Sequence, residues 1–322
     1  MSRGFCHPAF FMEERMPDQN AATASKTDLM GANWPPDAFS RMDESDDTLF
    51  YARDRFVDHL DTQALATVEK IIGHLITEEN PVVLDLMAGW DSHLPDALRP
   101  GRMVGLGLNE NELNKNRTLT ERVLHDLNEN PYLPFPEDAF DAVLNTVSVD
   151  YLTKPLAVFQ EVRRVLKPGG VFVVVFSNRL FPQKAVKLWR DSSEEERILL
   201  VQDFFRAAGG FEPTAVFASR GKPRPADDKY SHLGIPSDPI YAVYADKEGG
   251  DPTRKRRTIT MNTERKKMSP EELKEFEKSI KHTLCCPYCG EKMLKWAVPD
   301  NPFSQTWDNE FMYICFNDAC SY

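Results

Sequence analysis

Two apolar runs, PVVLDLM (81–87) and GVFVVVFS (170–177), constrain this chain more than any other feature. Neither alternates polar with apolar residues. Each reads as a strand covered on both faces, and such strands belong to parallel sheets with helices above and below. RMVGLGL from Arg102, RVLHDL from Arg122 and FDAVLNTV over 140–147 add three further strands. PLAVFQEVRRVL sets Leu156, Phe159, Val162 and Val165 or Leu166 on one helical stripe that stops at Pro168 and Gly169. A helix from the N-cap Asp61 to about Leu75 carries Leu65, Val68, Ile72 and Leu75 on one face. EEERILLVQDFFRAAGG gives another, stopped by Gly209 and Gly210. PTAVFAS (213–219) and PIYAVYAD (239–246) have no helical pattern between them, which predicts an antiparallel pair. The expectation is an α/β fold: a doubly wound sheet with an antiparallel terminal strand pair.

At 322 residues there is room for one full-sized domain and something smaller. The expected divisions are a polar N-terminal segment without regular structure (1–35), the α/β domain (36–247), a basic linker (248–268), a helix (269–283) and a cysteine-rich end (284–322). The helix is predicted from the capping box of Ser269 and Glu272, with Pro270 in its first turn. A net charge of −11 argues against nucleic acid or an anionic membrane surface as the main partner. The densest apolar run, VFVVVF, is too short to span a bilayer, and the N-terminus lacks the apolar core of a signal peptide. The expected location is cytoplasmic, with no membrane partner. RKRRTITMNTERKK, from Arg254 to Lys267, holds seven basic residues and one acidic. It reads as a solvated linker, or as an arm for nucleic acid or an acidic protein face.

In a doubly wound sheet the ligand sits beyond the carboxyl ends of the strands, where the strand order reverses. That singles out residues 85–91, 107–110, 126–128 and 145–151. DLNENPYLPFPEDAFDAVL, followed by LTKPLAVFQEVRRVLKPGGVFVVVF, resembles the class I S-adenosylmethionine-dependent methyltransferases, most nearly the methyltransferase type 11 group. The similarity covers roughly 45–247. It implies a Rossmann-like methyltransferase sheet, S-adenosylmethionine as cofactor and a methyl acceptor that the sequence does not name.

By this resemblance Asp85 and Gly89 flank the methionine moiety, while Met87 and Asp91 stand where glycines are usual. Glycine is favoured there because it accepts positive φ and lets backbone approach a ligand. The turn is therefore expected to take a different path, with Asp91 capping a short helix after it. Gly107 replaces the acidic residue that grips the ribose, and Asn109 is its nearest substitute. Asp126 matches the acceptor for the adenine amino group, with a helix or turn cap as the alternative. Leu127 would cover the ring, and Asn145 completes the cofactor set.

Methyl transfer from a sulfonium needs little beyond an acceptor held in line. Trp90, His93, Asn145, Ser148, Tyr151 and Tyr51 are the candidates for the acceptor wall, with His93 and Tyr151 as the catalytic pair. His93 could deprotonate an acceptor near neutral pH, although a lone histidine is more often structural. A catalytically silent scaffold that binds protein or nucleic acid is the competing reading.

Five of the six cysteines crowd the last 38 residues. Cys286 and Cys289 form a C-x2-C hook, and Cys315 and Cys320 a C-x4-C hook, with 25 residues between. Two such hooks are the pattern of a zinc ribbon whose four thiolates leave no open position, so the metal is structural. CPYCG and YICFNDAC resemble the zinc-finger family named after the phage Ogr and Delta activators. Cys285 is a spare neighbour. Trp296, Phe303, Trp307 and Phe311 would form the ribbon's core or dock a partner. The ribbon and the basic linker are the expected contacts for a protein or nucleic acid.

Overall fold

The computed structural model describes residues 34–251, 253, 284, 292–297 and 311–314. Residues 1–33, the basic run Arg254 to Lys267, the helix expected over 269–283 and the four candidate zinc ligands lie outside the described residues.

Helix α1 (Asp47–Tyr51) is followed by α2 (Thr62–Leu75), β1 (Val82–Leu86), β2 (Arg102–Gly107), α3 (Glu110–Lys115) and β3 (Glu121–Leu124). After β4 (Phe140–Thr146) come α4 (Pro155–Val165), β5 (Leu166–Phe176), α5 (Lys187–Asp191), α6 (Glu194–Ala208), β6 (Ala215–Ser219) and β7 (Ile240–Asp246). The seven strands form one sheet in the order β3-β2-β1-β4-β5-β7-β6. β1 to β5 run parallel, and β7 is antiparallel to both β5 and β6. A second sheet pairs β8 (Leu294–Ala297) with β9 (Phe311–Ile314), antiparallel.

The helices form where the apolar spacing placed them. Asp61 Oδ1 accepts from the Ala64 N–H at 3.0 Å, which caps α2. The helix then buries Val68, Ile72 and Leu75 against one face of the sheet, together with Val83, Leu144 and Val173. On the other face Phe159, Val162, Phe204 and Phe205 from α4 and α6 pack on Leu84, Val143 and Phe172. Both faces of the central strands are thereby covered, as their unbroken apolar runs require. α6 begins at a reciprocal capping box between Ser193 and Glu196. α4 ends at Val165, before the proline, because Leu166 already pairs with Phe140 and the KPGG stretch continues as strand.

The first crossover departs from expectation. No helix forms between Leu86 and Arg102. Asp91 caps no helix; its Oδ1 accepts from the His93 N–H two residues on, at 3.0 Å. Asp and Asn close local turns of this kind in competition with helix formation.

Residues 34–60 form a strap across the carboxyl edge of the sheet. Trp34 packs edge-on against Phe39 and Phe204. The Lys187 and Leu188 N–H groups donate to the Ser40 and Ala38 carbonyls at 2.7 and 2.8 Å. The strap's anchor is Asp47. Arg41 Nη1 reaches both of its oxygens at 2.6 and 2.7 Å, Lys184 Nζ lies 3.1 Å from Oδ1, and Asn128 Nδ2 donates to Oδ2 at 2.8 Å. Lys184 is fully buried, with a further bond of 2.6 Å to the Ser45 carbonyl. Removing one member of a buried charge cluster leaves the others uncompensated, at a cost of about 3 kcal/mol. Lys184→Met is expected to lower unfolding free energy by about that amount in denaturant titration; a loss below about 1 kcal/mol would show that the cluster does not hold the strap.

Candidate functional site

The strand order reverses between β1 and β4, where neighbours on either side lead away in opposite directions. A cavity of about 160 Å³ opens there, at the carboxyl ends of β1, β2 and β4. Its walls come from the turns after these strands, the turn after β3, and the strap. A second cavity of about 310 Å³ adjoins it, and the two share residues 57–60, Val147, Tyr151 and Phe181.

The turn after β1 keeps the glycine-like conformation without the glycine. Met87 has φ +57°, the left-handed region, at a cost of about 1 kcal/mol for a residue with a Cβ. Its path is fixed by the Ala88 N–H, which donates to the Leu106 carbonyl at 2.8 Å. This brings the Ala88 carbonyl over β2, where a Cβ on Gly107 would lie 2.3 Å from that oxygen. An acidic side chain at 107 is therefore excluded by backbone. Val147, after β4, also has a positive φ, +52°. A β-branched residue there is a marked outlier, with a strain of about 1–3 kcal/mol. Its N–H donates to the Val175 carbonyl at 2.7 Å, and it borders both cavities.

Of the candidate cofactor residues, Met87, Gly89, Asn109, Asp126 and Leu127 border the first cavity. Asp85 and Asn145 lie behind the wall, at 4% and 1% exposure. Asn109 caps α3, accepting from the Glu112 N–H at 2.9 Å, and donates to the Tyr51 carbonyl and Asp54 Oδ1, both at 3.0 Å. Its amide is thus committed to fastening the strap. Asp126 Oδ1 closes a turn, accepting from Asn128 N at 2.8 Å and Glu129 N at 3.3 Å, while its Oδ2 faces no partner among the described residues. Asn145 has no hydrogen-bond partner on either amide atom among the described residues.

The catalytic candidates both border the cavity and are both tethered. His93 stands in a turn, with φ +53°, and its Nδ1 lies 3.3 Å from Asp91 Oδ2. Burial pulls its pKa down, but the Asp91 hydrogen bond and charge outweigh that and raise it. Tyr151 Oη accepts from the Phe181 N–H at 2.8 Å. Burial, then the Asp150 charge, push the phenol well above its ordinary value. Trp90, Ser148 and Tyr51 join the wall, and Trp90 Nε1 donates to the Val57 carbonyl at 3.2 Å, joining the first turn to the strap.

Several wall residues escaped the sequence reading. Glu112 Oε1 accepts from the Arg55 N–H at 2.7 Å, and burial raises its pKa. Asp47, Arg55, His59 and Phe181 also border the cavity. They come from segments without periodicity or motif, so only their hydrophilic or aromatic character was visible.

Asp85 explains part of the site's electrostatics. Burial pushes its carboxyl up to about 7, against the opposing Ser92 hydroxyl bond and the nearby His93. Asn116 Nδ2 holds Ser92 Oγ at 2.9 Å. A carboxyl raised from 3.8 to about 7 binds a proton in the folded chain that the unfolded chain has released. Its favourable contribution is complete below pH about 4 and is lost as pH rises through about 7. Asp85→Asn is expected to flatten the fall in stability across that window and to be more stable than wild type at pH 8. Parallel stability curves for the two proteins would rule this out.

Residues 84–174 match a family model described as a methyltransferase domain. The chain is 38% identical over 90 residues to the fatty-acid O-methyltransferase of Mycolicibacterium smegmatis, covering 26% of this chain and 32% of that one. It is 27% identical over 151 residues to the biotin biosynthesis bifunctional protein BioHC of Teredinibacter turnerae, covering 42% and 25%. The chain thus spans between a quarter and a third of the length of these curated relatives. Among solved structures it resembles a SAM-dependent methyltransferase from Thermotoga maritima (19% identity, TM-score 0.42, 59% of this chain and 91% of that one). Another is a SAM-dependent methyltransferase from Archaeoglobus fulgidus (14%, TM-score 0.40, 57% and 93%). The matched residues run from β1 into β5, so the family match falls on the central parallel strands of the sheet.

Proposed function

We propose that the α/β domain is an S-adenosylmethionine-dependent methyltransferase, with the cofactor in the first cavity and the acceptor reached from the second. The observation that carries this is the chemistry of the first wall. Asp58, Glu112 and Asp126 line a space that Ser148 Oγ and Tyr51 Oη border without a hydrogen-bond partner among the described residues. Carboxylates suit a ligand bearing a sulfonium and an ammonium, and buried hydroxyls left unpaired are costly unless something completes them. Met87 and Asp91 stand in the wall and leave the space open.

The cofactor would supply a methyl group already activated on sulfur. The chain's part is to bind and orient. Asp126 Oδ2 would accept from the adenine amino group and Leu127 would cover the ring. Gly89 would border the methionine end, with Asp85 supporting that turn through Ser92. Tyr151, held by the Phe181 N–H, would orient the acceptor, and His93 would take a proton where the acceptor carries one.

The zinc ribbon is a second part of the proposal. The spacer between the hooks carries β8 and β9, which pair antiparallel with Leu294 opposite Ile314. The Met293 N–H donates to the Leu284 carbonyl at 2.7 Å. Two cysteine hooks at this spacing suit a tetrahedral structural zinc, and the module would serve to recruit a substrate or partner.

Calorimetric titration with S-adenosylhomocysteine is expected to show saturable binding to the wild-type chain. Asp126→Asn, which keeps the Oδ1 turn bonds, should bind about tenfold more weakly with unchanged melting. Unchanged affinity would refute the adenine assignment; no heat with wild type would refute the methyltransferase reading and leave a folded scaffold. For the ribbon, metal analysis of reduced protein should find about one zinc per chain, and chelation should abolish protease resistance around residues 284–322 alone. Metal-free protein with the same cleavage pattern would remove the zinc.

A further inference from the structure

We propose that Arg55 and His59 form a carboxylate-binding subsite where the two cavities meet. The Arg55 guanidinium lies 4.8 Å from the ring centroid of Phe50, 5.5 Å from Tyr51 and 5.4 Å from Phe181. Its Nη2 donates to the Phe50 carbonyl at 2.9 Å and its Nη1 to the Arg53 carbonyl at 3.2 Å. His59 meets the same Phe181 ring edge-on, with centroids 5.4 Å apart. Phe181 and His59 border both cavities, and Arg55 borders the first.

No carboxylate among the described residues lies within ion-pair distance of Arg55. Of the other basic groups in the walls, Lys229 lies over the Tyr230 ring, 4.8 Å from its centroid, and two are paired with carboxylates. His93 is paired with Asp91, and Arg179 with Asp238 at 2.9 Å. An arginine held by rings and two carbonyls has lost its conformational freedom before any ligand arrives, and keeps N–H donors for a planar, two-oxygen partner. Burial and then the Arg55 charge lower the His59 pKa, which favours the neutral imidazole with its one N–H. Glu112, Asp58, His93 and Lys229 are the other charged or titratable groups that act on this pair.

The carboxylate has two sources under the proposed function, on which only the ligand's identity rests: the amino-acid end of the cofactor, or the methyl acceptor. For an acceptor, one carboxylate oxygen attacks the methyl carbon and the carbon–sulfur bond breaks with its electron pair going to sulfur. Anion and sulfonium become an ester and a thioether, and no proton moves.

The test is calorimetry on the full chain with S-adenosylhomocysteine, with methylthioadenosine, which lacks the amino-acid end, and with hexanoate. Arg55→Met keeps the apolar contact with the rings, and Arg55→Lys keeps the charge without the fork. Arg55→Met is expected to lose about 10- to 100-fold for one carboxylate ligand, with methylthioadenosine binding and melting temperature unchanged and Arg55→Lys intermediate. Loss confined to S-adenosylhomocysteine assigns the cofactor's carboxylate, and loss confined to hexanoate the acceptor's. Arg55-dependent hexanoate binding by a chain that ignores S-adenosylhomocysteine would keep the subsite and refute the proposed function. The subsite is overturned if Arg55→Met binds all three ligands as wild type does, if it loses them equally, or if wild type binds neither carboxylate.

Discussion

The cavity depends on one buried carboxylate. Asp47 has both oxygens occupied, by Arg41, Lys184 and Asn128, and all three partners come from different parts of the chain. In a medium of low dielectric such a cluster is stable only when every member is satisfied. That requirement places the strap in one position over the sheet edge. Tyr51 and Arg55 follow Asp47 by four and eight residues, so fixing the carboxylate fixes the wall they form. The ordering of a segment with little regular structure costs conformational entropy, and the cluster, with Trp34 packed on Phe204, offsets it.

A second constraint is steric. The first crossover has no helix, so the turn after β1 must be held by other means. It is held by backbone bonds to β2, which press the Ala88 carbonyl onto Gly107 and leave Met87 with a positive φ. Val147 is strained on the opposite side of the same opening. Strained backbone persists where surrounding structure over-determines it, and it clusters at functional sites. Here both strained residues border the cavity. The turn's path thus leaves no room for a side chain at position 107.

Much of the fold was legible because strand and helix periods are local. The runs at Val82–Leu86 and Ile240–Asp246, the Asp61 cap and the stripe of Leu156, Phe159 and Val162 are all where spacing places them. The site was less legible. Met87 accepts the left-handed conformation that glycine would supply, beside the Ala88 N–H bonded to the Leu106 carbonyl. Asp91 and Asn109 are short polar residues whose hydrogen bonds can be spent in several ways, and the structure spends them on His93 and on the strap. Asp126 is both a turn cap and a cavity residue: its Oδ1 closes the turn, and its Oδ2 has no partner among the described residues.

The sequence by itself determined a parallel sheet with an antiparallel close, the edge at which a ligand would lie and the two cysteine hooks, because these follow from short-range periodicity and spacing. Only the tertiary structure decided that residues 34–60 complete the cavity, that Arg55 faces it without a carboxylate, and that position 107 must be glycine. Those outcomes depend on contacts between residues far apart in the chain, where packing and the pairing of buried charge choose among arrangements that local pattern leaves equal.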